Sequence, residues 1–142
     1  MNDLTNATVL AFDFGTRRIG VAMGNTLIRL AQPLVTVEAD TDATLMAAIG
    51  ALVTEWTPRQ LVVGLPTHAD GTRHATTDLA ERFARQLGER FSLPVALVDE
   101  RWTTEAAETR LKVDKRGRAG RAERDQIAAQ LILQAWFDER HG

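Results

Sequence analysis

A chain of 142 residues with 44% apolar and 25% charged side chains, ten glycines and four prolines has the make-up of one folded domain spanning 1–142, and excludes a disordered or low-complexity protein. It has no cysteine, which rules out a disulfide framework or zinc knuckle and leaves oxygen or imidazole as the ligands of any metal. The net charge of -2 argues against indiscriminate coating of nucleic acid, which depends on clustered Lys and Arg, although a local basic patch suffices for a specific site.

The opening residues MNDLTNATVLAF lack the basic start and apolar run of a secretory signal. No apolar stretch reaches the about eighteen residues of a membrane span, so a cytoplasmic location without membrane contact follows by elimination. TVLAFDF (8–14) and IGVAMG (19–24) read as short strands joined by a hairpin turn at Gly15-Thr16-Arg17-Arg18, and a third strand near Leu34 to Val37 completes a meander. The period then changes. Leu45, Ala48, Ile49, Leu52, Val53 and Trp56 recur at helical spacing after Thr41-Asp42, which can cap the helix. LVVGLP (61–66) is a continuous apolar run of the kind expected of a strand covered on both faces. A polar loop with Asp70-Gly71 leads to a helix over Thr77 to Arg90, in which Leu79, Phe83 and Leu87 lie one turn apart. PVALVDE (94–100) is another strand; Thr103 or Thr104 can cap a short helix through Leu111. A basic linker then precedes a final helix over Ala122 to Glu139. The order predicts an α/β fold: a five-stranded mixed sheet, an antiparallel three-strand meander plus parallel strands, with helices on both faces.

Three acids stand where a carboxylate is costly. Asp13 interrupts an apolar strand expected to be central, where an unpaired charge costs several kcal/mol. The plain alternative is an Asp accepting hydrogen bonds from the adjacent turn. Asp99-Glu100-Arg101 follows an apolar run at the carboxyl end of a strand, the end at which ligands gather in open α/β sheets. Neighbouring strand residues face opposite ways, so only one of Asp99 and Glu100 should reach a shared site, and the spacing leaves open which. Asp125 shares a helical stripe with Ala128, Ala129, Ile132 and Trp136, which places it on the buried face of the last helix, in its first turn; the alternative is a solvated helix-start acid. A divalent cation is the simplest charge that would stabilise all three acids, and magnesium-type ions with carboxylate ligands perform phosphoryl chemistry.

Six basic residues, Lys112, Lys115, Arg116, Arg118, Arg121 and Arg124, fall within thirteen positions, as a phosphate clamp or a solvated linker. Thr16, Arg17 and Arg18 beside Asp13, and Arg101 beside Glu100, are further candidate backbone contacts. The D-x-G-x-x-x-x-G pattern of DFGTRRIG also matches the phosphate-binding hairpin of actin-like kinases, which require two such domains. His68 and His74 lie in a loop and are left out of the site. Trp56 and Trp136 fall on apolar stripes and read as core, whereas Trp102 either stacks on a base or packs.

From AFDFGTRRIGVAMG through VVGLP and DG to VDERWTT and RDQIAAQLIL, the chain resembles the YqgF-type (RuvX) RNase H-like nucleases, a family assigned to pre-16S rRNA processing and formerly to Holliday junction resolution. The resemblance implies an RNase H-like fold, a cytoplasmic location and maturation of the 5′ end of small-subunit rRNA. It places the acidic positions on Asp13, Glu100 and Asp125, which would hold Mg2+ or Mn2+. Two positions depart from the pattern: Asn25 stands where an acid is common, and Arg124 where an apolar residue precedes Asp125. The expected protein is a metal-dependent endonuclease, monomer or homodimer, with pre-rRNA or branched DNA as partner. A binder that assembles ribosomes without cutting RNA is the rival of a different class.

Overall fold

The computed structural model describes residues 6–15, 17–66, 75–100 and 120–141. Its elements run β1 (Thr8–Asp13), β2 (Arg18–Asn25), β3 (Ala31–Glu38), α1 (Asp42–Trp56), β4 (Gln60–Leu65), α2 (Ala75–Phe91), β5 (Val95–Asp99) and α3 (Arg121–His141). The strands form one sheet in the order β3-β2-β1-β4-β5. β2 is antiparallel to both β1 and β3, while β1, β4 and β5 run parallel. The meander and the parallel crossovers expected from the sequence are both present. The short helix expected after Thr103, the Asp70-Gly71 loop, His68, His74 and Trp102 lie outside the described residues.

β3 is longer than the apolar pattern suggests because it starts at Ala31 and runs through exposed Gln32 and Pro33. Pro33 is tolerated because β3 is an edge strand, and a register shift between Val21 and Ala22 absorbs it opposite β2.

Side-chain alternation splits the apolar residues of β1 between two cores. Leu10 and Phe12 join Val21, Leu61 and Val63 beneath α1 and α2, through Met46, Ile49, Phe83 and Leu87. Val9 and Ala11 join Ala22, Val62 and Val98 beneath α3, through Ala129, Ile132, Leu133, Trp136 and Phe137. Thr41 caps α1 as expected, with a reciprocal hydrogen-bond pair to Thr44. The Thr77 hydroxyl donates to the Pro66 carbonyl and ties the first turn of α2 to the end of β4. The stripe of α2 sits to one side of the expected one: Thr77, Ala80, Phe83, Ala84 and Leu87 are buried, while Leu79 is 42% exposed. Two alanines on the contact line let the helix lie close to the sheet, which moves Leu79 off the seam.

A run of glutamines one turn apart fixes α3 on its face. Gln126 Nε2 donates to Thr36 Oγ1 (3.3 Å), Gln130 Nε2 to the Ala31 carbonyl (3.0 Å) and Gln134 Nε2 to the Arg29 carbonyl (3.1 Å), while Gln134 Oε1 accepts from the Ala31 N–H (3.0 Å). These bonds pin the helix to β3 in one register, and that register decides where Asp125 stands.

Candidate active site

Asp13 ends the central strand. Its neighbours in register are Gly20 on β2 and Gly64 on β4. Both glycines have a steric reason. A Cβ on Gly20 would run into the Asp125 carbonyl and Cα, and one on Gly64 would run into Ile132 and approach Glu100 Oε1 to 2.8 Å. The backbone of α3 at Asp125 therefore lies directly on β2, and the Glu100 side chain lies over β4. The two acids flank Asp13 from either side.

The geometry answers the question left open between Asp99 and Glu100. Val98 belongs to the core beneath α3, and by alternation Glu100 follows it to that face while Asp99 points to the other. Glu100 makes a side-chain hydrogen bond with Asp13. Burial holds the Asp13 carboxyl well above its ordinary value of 3.8; the hydrogen bond to Glu100 and the negative charges of Glu100 and Asp125 push the same way. The charges of two acids distant in sequence, Glu100 and Asp125, thus both act on Asp13.

Asp125 sits differently from expectation in one respect. α3 begins at Arg121 and its first-turn acid is Glu123, and the Arg124 N–H already bonds the Gly120 carbonyl (3.1 Å). Asp125 is thus one turn into a formed helix rather than in its fraying end. Its Oδ2 forms an ion pair with Arg18 Nε at 2.9 Å. Arg18, expected to face phosphate, is engaged with an acid. Among the described residues no three Asp, Glu or His side chains stand close enough to enclose a metal ion as they are.

A cleft of about 520 Å³ opens beside this group, with Asp13, Gly15, Arg17, Arg18, Asp40 and Asp125 in its lining. Gly15 is required by the turn, because a Cβ there would strike the Arg18 carbonyl. Glu38 and Asp40, also in the lining, were not singled out by the sequence; their only signal is their place just after an apolar strand. The glycine cradle was equally unmarked, although Gly within a strand is a sign of close approach. Asn25, where a family acid is absent, pairs in register with Thr8 at the other end of β1 from Asp13. There its side chain bonds Asn6 (2.9 Å) and the Leu27 N–H (2.7 Å), so its lack of charge leaves the site untouched. Arg121 is the first residue of α3; Thr16, Arg101, Lys112, Lys115, Arg116 and Arg118 lie outside the described residues.

A family model described as "RuvX: Holliday junction resolvase" matches residues 7–139. The chain belongs to the RuvX family. It is 53% identical over 135 residues to a protein of Dechloromonas aromatica named "Putative pre-16S rRNA nuclease", covering 94% of this chain and 92% of that one. A protein of the same name from Nitrosomonas europaea is 51% identical over 145 residues, covering 99% and 98%. Among solved structures, RuvC of Thermus thermophilus in complex with a Holliday junction substrate superposes with a TM-score of 0.63 at 18% identity, over 96% of each chain. A second structure of RuvC from the same organism gives 0.62 at 15%, over 95% of this chain and 96% of that one. These likenesses establish the RNase H-like fold, and the RuvX family is one of nucleases. Among the described residues no helix is long and apolar enough to cross a membrane.

Proposed function

We propose that the chain hydrolyses phosphodiester bonds at Asp13, Glu100 and Asp125 with the help of Mg2+ or Mn2+, and that its substrate is precursor 16S rRNA, trimmed at the 5′ end in the cytoplasm. The observation that carries this reading is the Asp13 carboxyl, on which two acids distant in sequence act together. An all-oxygen donor set suits a hard cation. Gly20 and Gly64 let the Asp125 backbone and the Glu100 side chain come down onto the sheet on either side of Asp13, so the residues present fit such an ion. Asp13, Glu100 and Asp125 would hold it; when bound it supplies Lewis-acid polarisation of the phosphodiester and acidifies a coordinated water.

The chain's own groups set the rest. Asp13 is delivered by a rigid central strand and Asp125 by a helix pinned to β3, which gives the precision that a phosphoryl site needs. The Asp13 carboxyl, held well above its ordinary range chiefly by burial, ligates only once deprotonated, so cation uptake is coupled to proton release. Arg17, exposed at the cleft, contacts backbone phosphate. Thr16, Arg101 and the basic run from Lys112 through Lys115, Arg116 and Arg118 to Arg121 add the counter-charge that positions a polyanion without reading its sequence.

The substrate assignment takes its support from the relatives' names, and the family description favours a second reading, cleavage of four-way DNA junctions. One experiment separates them: manganese-dependent cleavage of matched single-stranded RNA, duplex and four-way junction, run beside Asp13→Asn. Cleavage of RNA alone supports the ribosomal reading. Cleavage of the junction by a dimer supports the resolvase, whereas a strictly monomeric protein counts against it, because paired cuts need two sites. Undiminished turnover by Asp13→Asn would remove Asp13 from the mechanism. Binding that survives EDTA, with no cleavage under any metal, would leave a non-cleaving assembly factor.

A further inference from the structure

The ion pair between Arg18 and Asp125 stands at odds with the use to which the site is put. Asp125 faces a guanidinium at 2.9 Å, and a carboxylate so engaged has its charge already matched. A divalent cation on the same carboxylate and a guanidinium beside it repel each other. Both partners are partly open to solvent, the Arg18 and Asp125 side chains keeping 31% and 22% of their exposure. The surroundings give a freed Arg18 something to do. The described lining of the cleft carries Asp13, Glu38, Asp40 and Asp125 against Arg17 and Arg18 alone, so a phosphate approaching this cleft meets more negative charge than positive.

We infer that Arg18 is an exchangeable counter-ion: it holds Asp125 while the cation is absent, and cation entry releases its guanidinium into the cleft, where it becomes a contact for the nucleic-acid backbone. Arg18 is in this sense a positioning residue for the metal site and a binding residue for the substrate, in sequence. It starts β2 two residues before Gly20, on which the Asp125 backbone rests, so its own anchor does not need to move for the side chain to exchange partners. A guanidinium suits both roles, because its fork matches carboxylate and phosphate alike. Cation loading and substrate affinity are thereby coupled through one side chain.

The inference rests on the metal-site reading above, and the test distinguishes the two. Mn2+ binding is measured by calorimetry on the full-length, metal-free wild type, Arg18→Gln, Arg18→Lys, Asp125→Asn and the Arg18→Gln/Asp125→Asn double variant. Removing the competing charge in Arg18→Gln should tighten Mn2+ binding roughly five-fold, and the gain should vanish in the Asp125→Asn background, as expected of a direct pairwise coupling. Arg18→Lys, which keeps a charge but not the fork, should tighten it less. In cleavage assays Arg18→Gln should raise KM more than it lowers kcat. An arginine that merely props up the site would instead weaken Mn2+ binding when replaced. Mn2+ binding that is unchanged or weaker in Arg18→Gln, while Asp125→Asn weakens it, would overturn the exchange and leave the metal site standing. If Arg18→Gln does not fold, Arg18→Lys decides: weaker binding than wild type overturns the exchange. Mn2+ binding indifferent to Asp125→Asn overturns both.

Discussion

The two faces of the sheet are built from opposite materials. Beneath α1 and α2 the strands present Leu10, Phe12, Val21, Leu61 and Val63, which interlock with Phe83 and Leu87. Phe83 meets Phe12 edge-on at 5.9 Å between ring centroids, an arrangement that favours both rings. Beneath α3 the strands present Ala11, Ala22 and Ala31 among Val9, Val62 and Val98, with Gly20, Gly24 and Gly64 where a Cβ would collide with the helix or with Glu100. Bulk fills the first face and closeness defines the second. Asp13, Glu100 and Asp125 lie at the end of the second, where a helix drawn down onto the sheet brings Asp125 within electrostatic reach of Asp13. Stability and chemistry are therefore separable by face.

The sharpest way to break this comparison is Asp13→Asn. It should reduce cleavage by more than the roughly 10- to 100-fold typical of losing an outer-shell partner of a metal site. The metal-free variant should also melt higher than wild type. The sign follows from the raised Asp13 pKa: the folded state holds a proton that the unfolded chain gives up near 3.8. The stability of the metal-free wild type therefore falls as pH rises from that value through the folded pKa. Thermal melts across this window should show the fall in wild type and its loss in Asp13→Asn, and added Mn2+ should recover stability on the alkaline side of it.

On the packing face, Phe83→Ala should cost about 3–5 kcal/mol in denaturant melts while leaving kcat near wild type at a temperature where the variant is folded. A large drop in kcat would show that the faces are not independent. Gly20→Ala should do the reverse in proportion, costing about 1–3 kcal/mol as overpacking and reducing turnover strongly, because the Cβ displaces Asp125. Gly88→Ala, in α2, is the control. Its Cβ would meet Val95 at an ordinary 3.5 Å, and the change should raise stability by about 0.5–1 kcal/mol with no effect on cleavage.

The layering and the acids were legible in the sequence for the same reason: both are violations or fulfilments of periodicity. Asp13 stood out because it broke an apolar strand, and Asp125 because it sat on an apolar helical stripe. Glu100 could not be told from Asp99, since their difference is one of facing, settled only by the register of β5 against β4. The full length of β3 was hidden because an edge strand admits Gln32 and Pro33, which read as loop. Arg18 was legible as a charge beside Asp13 but not as the partner of Asp125, a pairing across 107 residues that depends on how low α3 sits. That height is decided by glycines and glutamines, residues whose patterns mark neither core nor site.

The glutamines of α3 have a consequence away from catalysis. Edge strands are the places where sheets grow into neighbours, because their outward amides and carbonyls lack partners. At Ala31 both groups are taken by Gln130 and Gln134, and Pro33 withholds a donor a little further along. The side chains that set the helix in register thus also guard this margin against strand-by-strand association, so loosening the helix would bare that margin as well as disturb the active geometry.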